Sequence, residues 1–242
     1  MSLLDTWTHG SHTADGRTHD TYRKGTGPGV IIIHEIPGMT PDVIAFAEEV
    51  VDAGHTVVMP HFFGRVEEAP GTTAMLRSIG VVCVSREFTK LALRQTTPLA
   101  AWLRSLARDL HDELGGPGVG ALGMCLTGGF ALAMMVDESV AAPVVAQPST
   151  PFAIGKARSA DLNLSPADLA AVRTRAQAGC SVLGLRYRND PATGTRFTTL
   201  RDELGENFLA LEFEGRGHAT LTEHRQQGAV DRVLAFFAER LR

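Results

Sequence analysis

Cys125 is the residue whose surroundings most favour chemistry. It lies in the run GMCLTGG, residues 123–129, between a strand-like segment and a buried helix-like segment. Small residues on both sides of a nucleophile permit the sharp strand-to-helix turn that holds it in a strained conformation. A thiol at a helix N-terminus is favoured as the thiolate by the helix dipole. These features predict a nucleophilic cysteine, whereas most unpaired cysteines are buried packing residues.

A base and an acid for this thiol can be placed from the order of the segments. His218 follows the last predicted strand in the run EGRGH, and Asp190 follows the preceding strand in the run RNDP. A thiol with a pKa near 8.5 is only a few per cent ionised at neutral pH, so a neighbouring base would activate it. Asp190 would orient His218 and stabilise its imidazolium, although RNDP is also an ordinary turn sequence. His224 is the alternative histidine.

The run HEIPG, residues 34–38, ends the first predicted strand. In hydrolases built on a mostly parallel sheet, the loop that follows this strand donates one backbone N–H to an oxyanion. The residue after the nucleophile donates the other. Ile36 and Leu126 are therefore the expected donors. Pro37 has no N–H and can only shape the turn.

These residues all lie at the ends of strand-like segments in an alternating pattern. Short apolar runs predict strands at residues 29–36, 55–60, 118–124, 141–146, 180–187 and 208–213. Helical spacing and capping signals predict helices at residues 41–53, 99–114, 126–136, 166–178, 195–204 and 226–241. Such alternation implies an α/β fold with a mostly parallel, doubly wound sheet flanked by helices, and with ligands at the carboxyl ends of the strands.

Three segments carry weaker signals. Residues 62–85 are irregular and are expected to form a loop with short helices, and residues 147–164 are expected to form a loop. The polar N-terminal stretch contains three histidines that we expect to be solvated, namely His9, His12 and His19.

Composition limits the class of protein. The 242 residues are 44% apolar and 21% charged, which is typical of a globular protein, and we expect a single domain over residues 1–242. A net charge of −4 without a basic run argues against nucleic acid or a membrane as partner. Three scattered cysteines predict no disulfide framework, and Cys83 and Cys180 are predicted packing residues. Without a signal pattern or an apolar run of about 18 residues, a cytoplasmic location is expected.

Taken together, these motifs resemble the dienelactone hydrolase family, an α/β-hydrolase branch with a cysteine nucleophile. The matching pieces are EIPG at residues 35–38, GMCLTGG at residues 123–129, Asp190 after its strand, and His218 with the glycine before it. The resemblance implies the α/β-hydrolase fold and a triad of Cys125, Asp190 and His218 assisted by Glu35. It also implies carboxymethylenebutenolidase-like hydrolysis of a small ester or lactone through a thioester, without a metal or organic cofactor.

Two positions depart from the family pattern. Thr127 stands where the family usually has glycine. The family binds a substrate carboxylate with arginines, one of them four residues after the catalytic histidine, and that position here is Thr222. Arg225, further along the loop, and Arg86, in the run SREF, are the candidates for binding such a carboxylate.

Glu35 would act on the thiol through its charge. Two negative charges about 4 Å apart repel by about 4 kcal/mol at an effective dielectric constant of 20, which corresponds to about three pKa units. A thiolate beside an ionised Glu35 is therefore disfavoured unless His218 is charged, and we expect a neutral resting thiol. Substrate binding would displace Glu35 or let it accept the thiol proton. The competing role for Glu35 is that of a salt-bridged carboxylate at a strand end.

Two other functions are compatible with the sequence. A non-catalytic or redox-sensing protein could use Cys125 as a reactive thiol on the same fold. A metallohydrolase could use His34, Glu35 and His61, although these residues do not form a ligand motif such as H-E-x-x-H. The oligomeric state cannot be deduced from the sequence.

Overall fold

The described residues form a single, mostly parallel sheet of eight strands. The computed structural model describes residues 2–84 and 93–242. Its strands are β1 (Thr8–Ala14), β2 (Arg17–Lys24), β3 (Gly29–Ile33), β4 (Thr56–Pro60), β5 (Val119–Met124), β6 (Val140–Ala146), β7 (Val182–Tyr187) and β8 (Phe208–Phe213). They are arranged in the order β1-β2-β4-β3-β5-β6-β7-β8, in which β2 is antiparallel to both of its neighbours, β1 and β4, and the remaining pairs are parallel. The α/β-hydrolase fold class predicted from the alternating pattern is confirmed.

Helices cover both faces of this sheet. They are α1 (Pro41–Asp52), α2 (Thr72–Val84), α3 (Leu99–Leu114), α4 (Gly128–Met134), α5 (Gly155–Ala160), α6 (Pro166–Gln177), α7 (Arg196–Leu204) and α8 (Gln227–Arg240). The predicted N-cap of α1 is present, since the Thr40 hydroxyl accepts a hydrogen bond from the backbone N–H of Val43. Among the helices of the described residues, none combines the length and the apolar character that a membrane crossing requires.

The core lies in two layers, one on each face of the sheet. Alternate residues of β3 point to opposite layers, so Ile31 packs with Trp102 of α3, whereas Ile32 packs with Phe46 of α1 and Phe237 of α8. All four of the apolar residues from 30 to 33 are fully buried. Burial on both faces explains why this strand is continuously apolar instead of alternating.

The N-terminal stretch forms a β-hairpin that the sequence analysis missed. Asp15 and Gly16 both have positive φ angles at its turn, which suits an Asp-Gly hairpin turn. The rings of His12 and His19 pack edge-on against Trp102. The expectation that all three N-terminal histidines are solvated is therefore wrong for these two.

Both predicted loops contain regular structure as well. The described part of residues 62–85 contains α2, a helix of 13 residues, instead of several short helices, and α5 lies within residues 147–164. The first parallel strand also ends earlier than predicted, at Ile33. Residues 34–40 consequently form a loop at the carboxyl edge of the sheet, where ligands are expected to bind.

Candidate active site

Cys125 begins a 3-10 turn directly after β5, and α4 follows that turn. Its φ angle is +54°, in the left-handed region that residues other than glycine seldom adopt. A Cβ atom on Gly123 would lie 2.2 Å from the carbonyl oxygen of Thr127, and one on Gly128 would lie 2.7 Å from Pro148 Cα. The glycines are therefore required by the close approach of the backbone. This is the strained strand-turn-helix geometry of a nucleophile elbow.

Thr127 connects this turn to the end of β3. Its hydroxyl oxygen accepts from the Met124 N–H at 3.0 Å, and it lies 3.1 Å from the carbonyl oxygen of Ile33 and 3.2 Å from that of His34. The side chain is fully buried. A glycine at this position would make none of these contacts, so the departure from the family pattern adds a link between the cysteine turn and the loop that contains Glu35.

His218 and Asp190 meet at the same edge although they follow different strands. Nδ1 of His218 lies 2.7 Å from Oδ2 of Asp190. Asp190 is buried, and it also accepts hydrogen bonds from the Thr193 hydroxyl at 2.6 Å and the Ala192 N–H at 3.0 Å. These contacts fix the carboxylate, which in turn orients the imidazole towards Cys125.

The two groups shift each other's pKa. Burial lowers the pKa of His218, but hydrogen bonds to Asp190 and Cys125 and their charges outweigh burial and raise it to about 11. Burial raises the pKa of Asp190, but the hydrogen bond from His218 and the further donors lower it overall. These partners favour the imidazolium form of His218. The neutral resting thiol expected from the sequence stays a prediction.

Glu35 is buried and held by neutral donors. The Thr222 hydroxyl donates to one carboxyl oxygen, and Nε2 of Gln147 donates to the other at 3.3 Å. Burial raises the pKa of Glu35 more than these hydrogen bonds and the charge of His218 lower it. No Lys or Arg among the described residues forms an ion pair with Glu35, so the salt-bridged role considered for it is not observed there.

Two polar residues of this site were missed by the sequence analysis. Gln147 is fully buried and connects Glu35 to the histidine loop, because its Oε1 accepts from the Thr220 hydroxyl at 2.9 Å. Ser149 places its hydroxyl 3.3 Å from the Cys125 sulfur. Both follow β6 in a segment expected to be loop, and no local pattern marks them. The only available signal was that this loop follows the strand next to β5.

A cavity of about 520 Å³ joins these groups. Cys125, His218, Glu35 and Ile36 line it, and Ser149 lies beside the sulfur. Leu126 is buried beneath the turn, with 1% of its surface exposed. The volume is in the range of pockets that bind small molecules.

The structure does not bring Arg225 to this cavity. Arg225 pairs with Glu49 at 2.8 Å on the surface and is not among the described residues that line the cavity. Arg86 lies outside the described residues. The alternative histidine, His224, packs its ring against Tyr187, with the ring centroids 6.4 Å apart.

The three residues considered for a metal site have other partners. The Nε2 atom of His34 accepts from the Phe62 N–H at 3.1 Å, and burial lowers the pKa of His34 to about 3. His61 lies beside it with a ring-centroid distance of 5.7 Å. Within residues 2–84 and 93–242, no group of three or more His, Cys, Asp and Glu side chains is arranged to hold a metal ion.

A strained strand-turn-helix after β5, followed along the chain by Asp190 after β7 and His218 after β8, is the arrangement of the α/β-hydrolase fold. The model of the dienelactone hydrolase family matches residues 18–236. The chain belongs to this family, and it is by class an ester hydrolase. The resemblance noted from the sequence is thereby confirmed.

Solved structures share this fold. A dienelactone hydrolase from Anabaena variabilis superposes with a TM-score of 0.65 at 18% identity, over 98% of each chain. A cold-adapted esterase from an Arctic intertidal metagenomic library gives 0.62 at 16% identity, over 97% of this chain and 93% of that one. A dienelactone hydrolase-like promiscuous phosphotriesterase from metagenomic libraries also gives 0.62 at 16% identity, over 98% of this chain and 99% of that one. No curated protein matches the chain.

Proposed function

We propose that the protein hydrolyses a small ester or lactone through a triad of Cys125, His218 and Asp190. The observation that carries the proposal is the 2.7 Å hydrogen bond between His218 and Asp190, together with the position of His218 and Cys125 on the wall of one cavity large enough for such a substrate. His218 is the group that activates the sulfur in this proposal, since the nucleophilic form of cysteine is the thiolate.

Acylation begins when the Cys125 sulfur attacks the carbonyl carbon and forms a carbon–sulfur bond. The electron pair of the carbonyl moves to its oxygen, which the backbone N–H groups of Ile36 and Leu126 stabilise. No acceptor for the Ile36 N–H is found within residues 2–84 and 93–242, so this donor is available. The carbon–oxygen bond to the leaving group then breaks, and the departing oxygen takes a proton from His218.

Acylation also prepares the histidine for its second role. The thiolate charge of Cys125 contributes to the raised pKa of His218, and the thioester carries no such charge. The pKa of the imidazole therefore falls once the thioester has formed, and His218 can act as a base. It removes a proton from water, the resulting hydroxide attacks the thioester, and the carbon–sulfur bond breaks to release the acid and regenerate the thiolate.

The test compares two cysteines with the same substitution. Cys125→Ala is expected to lower kcat/KM for 4-nitrophenyl acetate by about 10³-fold or more, because the nucleophile is lost. Cys180→Ala serves as the matched control. The Cys180 thiol donates hydrogen bonds to the carbonyl oxygens of Val140 and Ala141 and does not line the cavity.

Mass spectrometry of rapidly quenched enzyme adds a second measurement. Wild type and Cys180→Ala should carry one acetyl group during turnover, and Cys125→Ala should carry none. Activity in Cys125→Ala close to that of wild type would rule out the proposal.

A further inference from the structure

Among the described residues that line the cavity, the titratable side chains other than His218 and Cys125 are acidic. Glu35 is buried, and Asp42 and Glu223 are exposed. Neither Lys nor Arg occurs among the described residues of the lining. The positive charge of His218 is compensated by Asp190 at 2.7 Å. A substrate carboxylate would thus meet three acidic groups and no uncompensated cation from the described residues.

Two positions in the loop after β8 could have supplied a cation to the cavity, but neither does so. Thr222, four residues after His218, donates its hydroxyl to Glu35. Arg225 is held by Glu49 at 2.8 Å and by Gln227 at 3.1 Å. The loop after β8 therefore presents a neutral hydroxyl to the site, Arg225 is bound elsewhere, and Arg216 of the same loop is exposed and does not line the cavity.

Apolar side chains form much of the remaining wall. Met75 and Ile79 reach the cavity from α2, and Phe152 reaches it from the segment after β6. Met75 is 46% exposed, so the apolar surface continues outwards. Such a wall stabilises an apolar group through the surface it removes from water, whereas a carboxylate there would lose hydration without gaining a partner.

We infer that this site selects an uncharged ester or lactone with an apolar acyl group and disfavours an acyl group that carries a carboxylate. The inference rests on the proposed function, because it concerns the acyl group that Cys125 would accept. It separates this chain from the carboxylate-bearing substrates that the family resemblance would suggest.

The experiment compares two esters of the same length, 4-nitrophenyl hexanoate and 4-nitrophenyl hydrogen adipate, which differ by a terminal methyl or carboxylate. We expect kcat/KM to be at least about tenfold higher for the hexanoate ester, because like charges repel at the rim of the cavity and the apolar wall offers a carboxylate no partner. Asp42→Asn and Glu223→Gln should each raise kcat/KM for the adipate ester relative to the hexanoate ester by a few-fold. Glu206→Gln removes the same charge at the exposed amino end of β8 and should change neither.

Each outcome has a defined meaning. Hydrolysis of the adipate ester as fast as or faster than that of the hexanoate ester would overturn the inference and leave the proposed function intact. If Arg86→Ala then lost the preference for the adipate ester, Arg86 would be identified as the cation that binds the carboxylate. A higher kcat/KM for 4-nitrophenyl 6-(trimethylammonio)hexanoate than for the hexanoate ester would overturn it in favour of cationic substrates. Failure of wild type to hydrolyse the esters would overturn the proposed function and the inference together.

Discussion

The turn after β7 and the loop after β3 each bury one carboxyl group, but they treat its charge in opposite ways. Asp190 is 5% exposed and Glu35 is 6% exposed. Burial raises the pKa of both groups, yet the pKa of Asp190 ends below its ordinary value and that of Glu35 above it. Glu35 lies deeper in the protein, so burial raises its pKa more than that of Asp190, and the partners add to this difference. Asp190 binds an imidazolium, and Glu35 binds only a hydroxyl and an amide.

This difference gives the two carboxyl groups separate roles near one sulfur. In the proposed mechanism Asp190 is the ionised partner that raises the pKa of His218. Burial favours the neutral form of Glu35, in which it adds no negative charge to the cavity that Cys125 lines.

Asp190→Asn should have the largest effect. An amide cannot replace the negative partner of the imidazolium, so the pKa of His218 should fall and its orientation should be lost. We expect kcat/KM to decrease by about 10³- to 10⁴-fold, as is typical when the acid of a triad is neutralised. Steady-state hydrolysis of 4-nitrophenyl hexanoate measures this. Asp202→Asn, an exposed substitution on α7, is the control, and a decrease below tenfold in Asp190→Asn would contradict the assignment.

Glu35→Gln should change the reactivity of the thiol by a smaller, pH-dependent factor. At low pH Glu35 is neutral and resembles glutamine, so wild type and variant should be alkylated by iodoacetamide at similar rates. As the pH rises through the raised pKa of Glu35, its negative charge should disfavour the thiolate, and wild type should become several-fold slower than the variant. Superimposable profiles from about pH 4 to about pH 9 would show that Glu35 does not act on Cys125.

The two carboxyl groups should also affect stability with opposite dependence on pH. The pKa of Asp190 is lower in the folded chain than its value of about 3.9 in the unfolded chain, so its ionisation stabilises the fold above that pH. This stabilisation is lost as the pH falls through the folded pKa. The pKa of Glu35 is higher in the folded chain than its value of about 4.3 in the unfolded chain. The neutral group therefore contributes its full stabilisation below about pH 4.3, and that stabilisation is lost as the pH rises through the folded pKa. In urea unfolding, the free energy of unfolding of Glu35→Gln relative to wild type should therefore increase with rising pH. The same difference for Asp190→Asn should decrease with rising pH. Parallel curves would refute this comparison.

Thr222→Val should have the smallest effect on activity. It removes one donor from a buried carboxyl group, which should raise the pKa of Glu35 further and reduce the free energy of unfolding by about 1 to 3 kcal/mol. Thr222→Ser keeps the hydroxyl and should restore most of that stability. Hydrolysis of a neutral ester should change by only a few-fold in both variants. A loss in Thr222→Val comparable to that in Asp190→Asn would show that Thr222 contributes directly to the reaction.

Much of the site could be predicted from local sequence patterns. The run GMCLTGG predicts the turn at Cys125 because a backbone that folds back within 2.2 Å of a would-be Cβ leaves room only for glycine. The order of strands placed Asp190 and His218 at one edge, since parallel strands have their carboxyl ends on the same side of a sheet. The hairpin of β1 and β2 was missed even though Asp15 and Gly16 carry its turn signal, because its polar exposed face resembles an unstructured segment.

The amino-acid sequence by itself determined the fold class, the cysteine turn and the chain order of the acid and the histidine, since each depends on neighbouring residues or on the succession of strands. Only the tertiary structure decided the surroundings of Glu35. Its donors Thr222 and Gln147 are 187 and 112 residues away along the chain and follow different strands. A carboxyl group's ionisation depends on whatever lies within a few ångströms, and no local pattern specifies which distant loops will meet there.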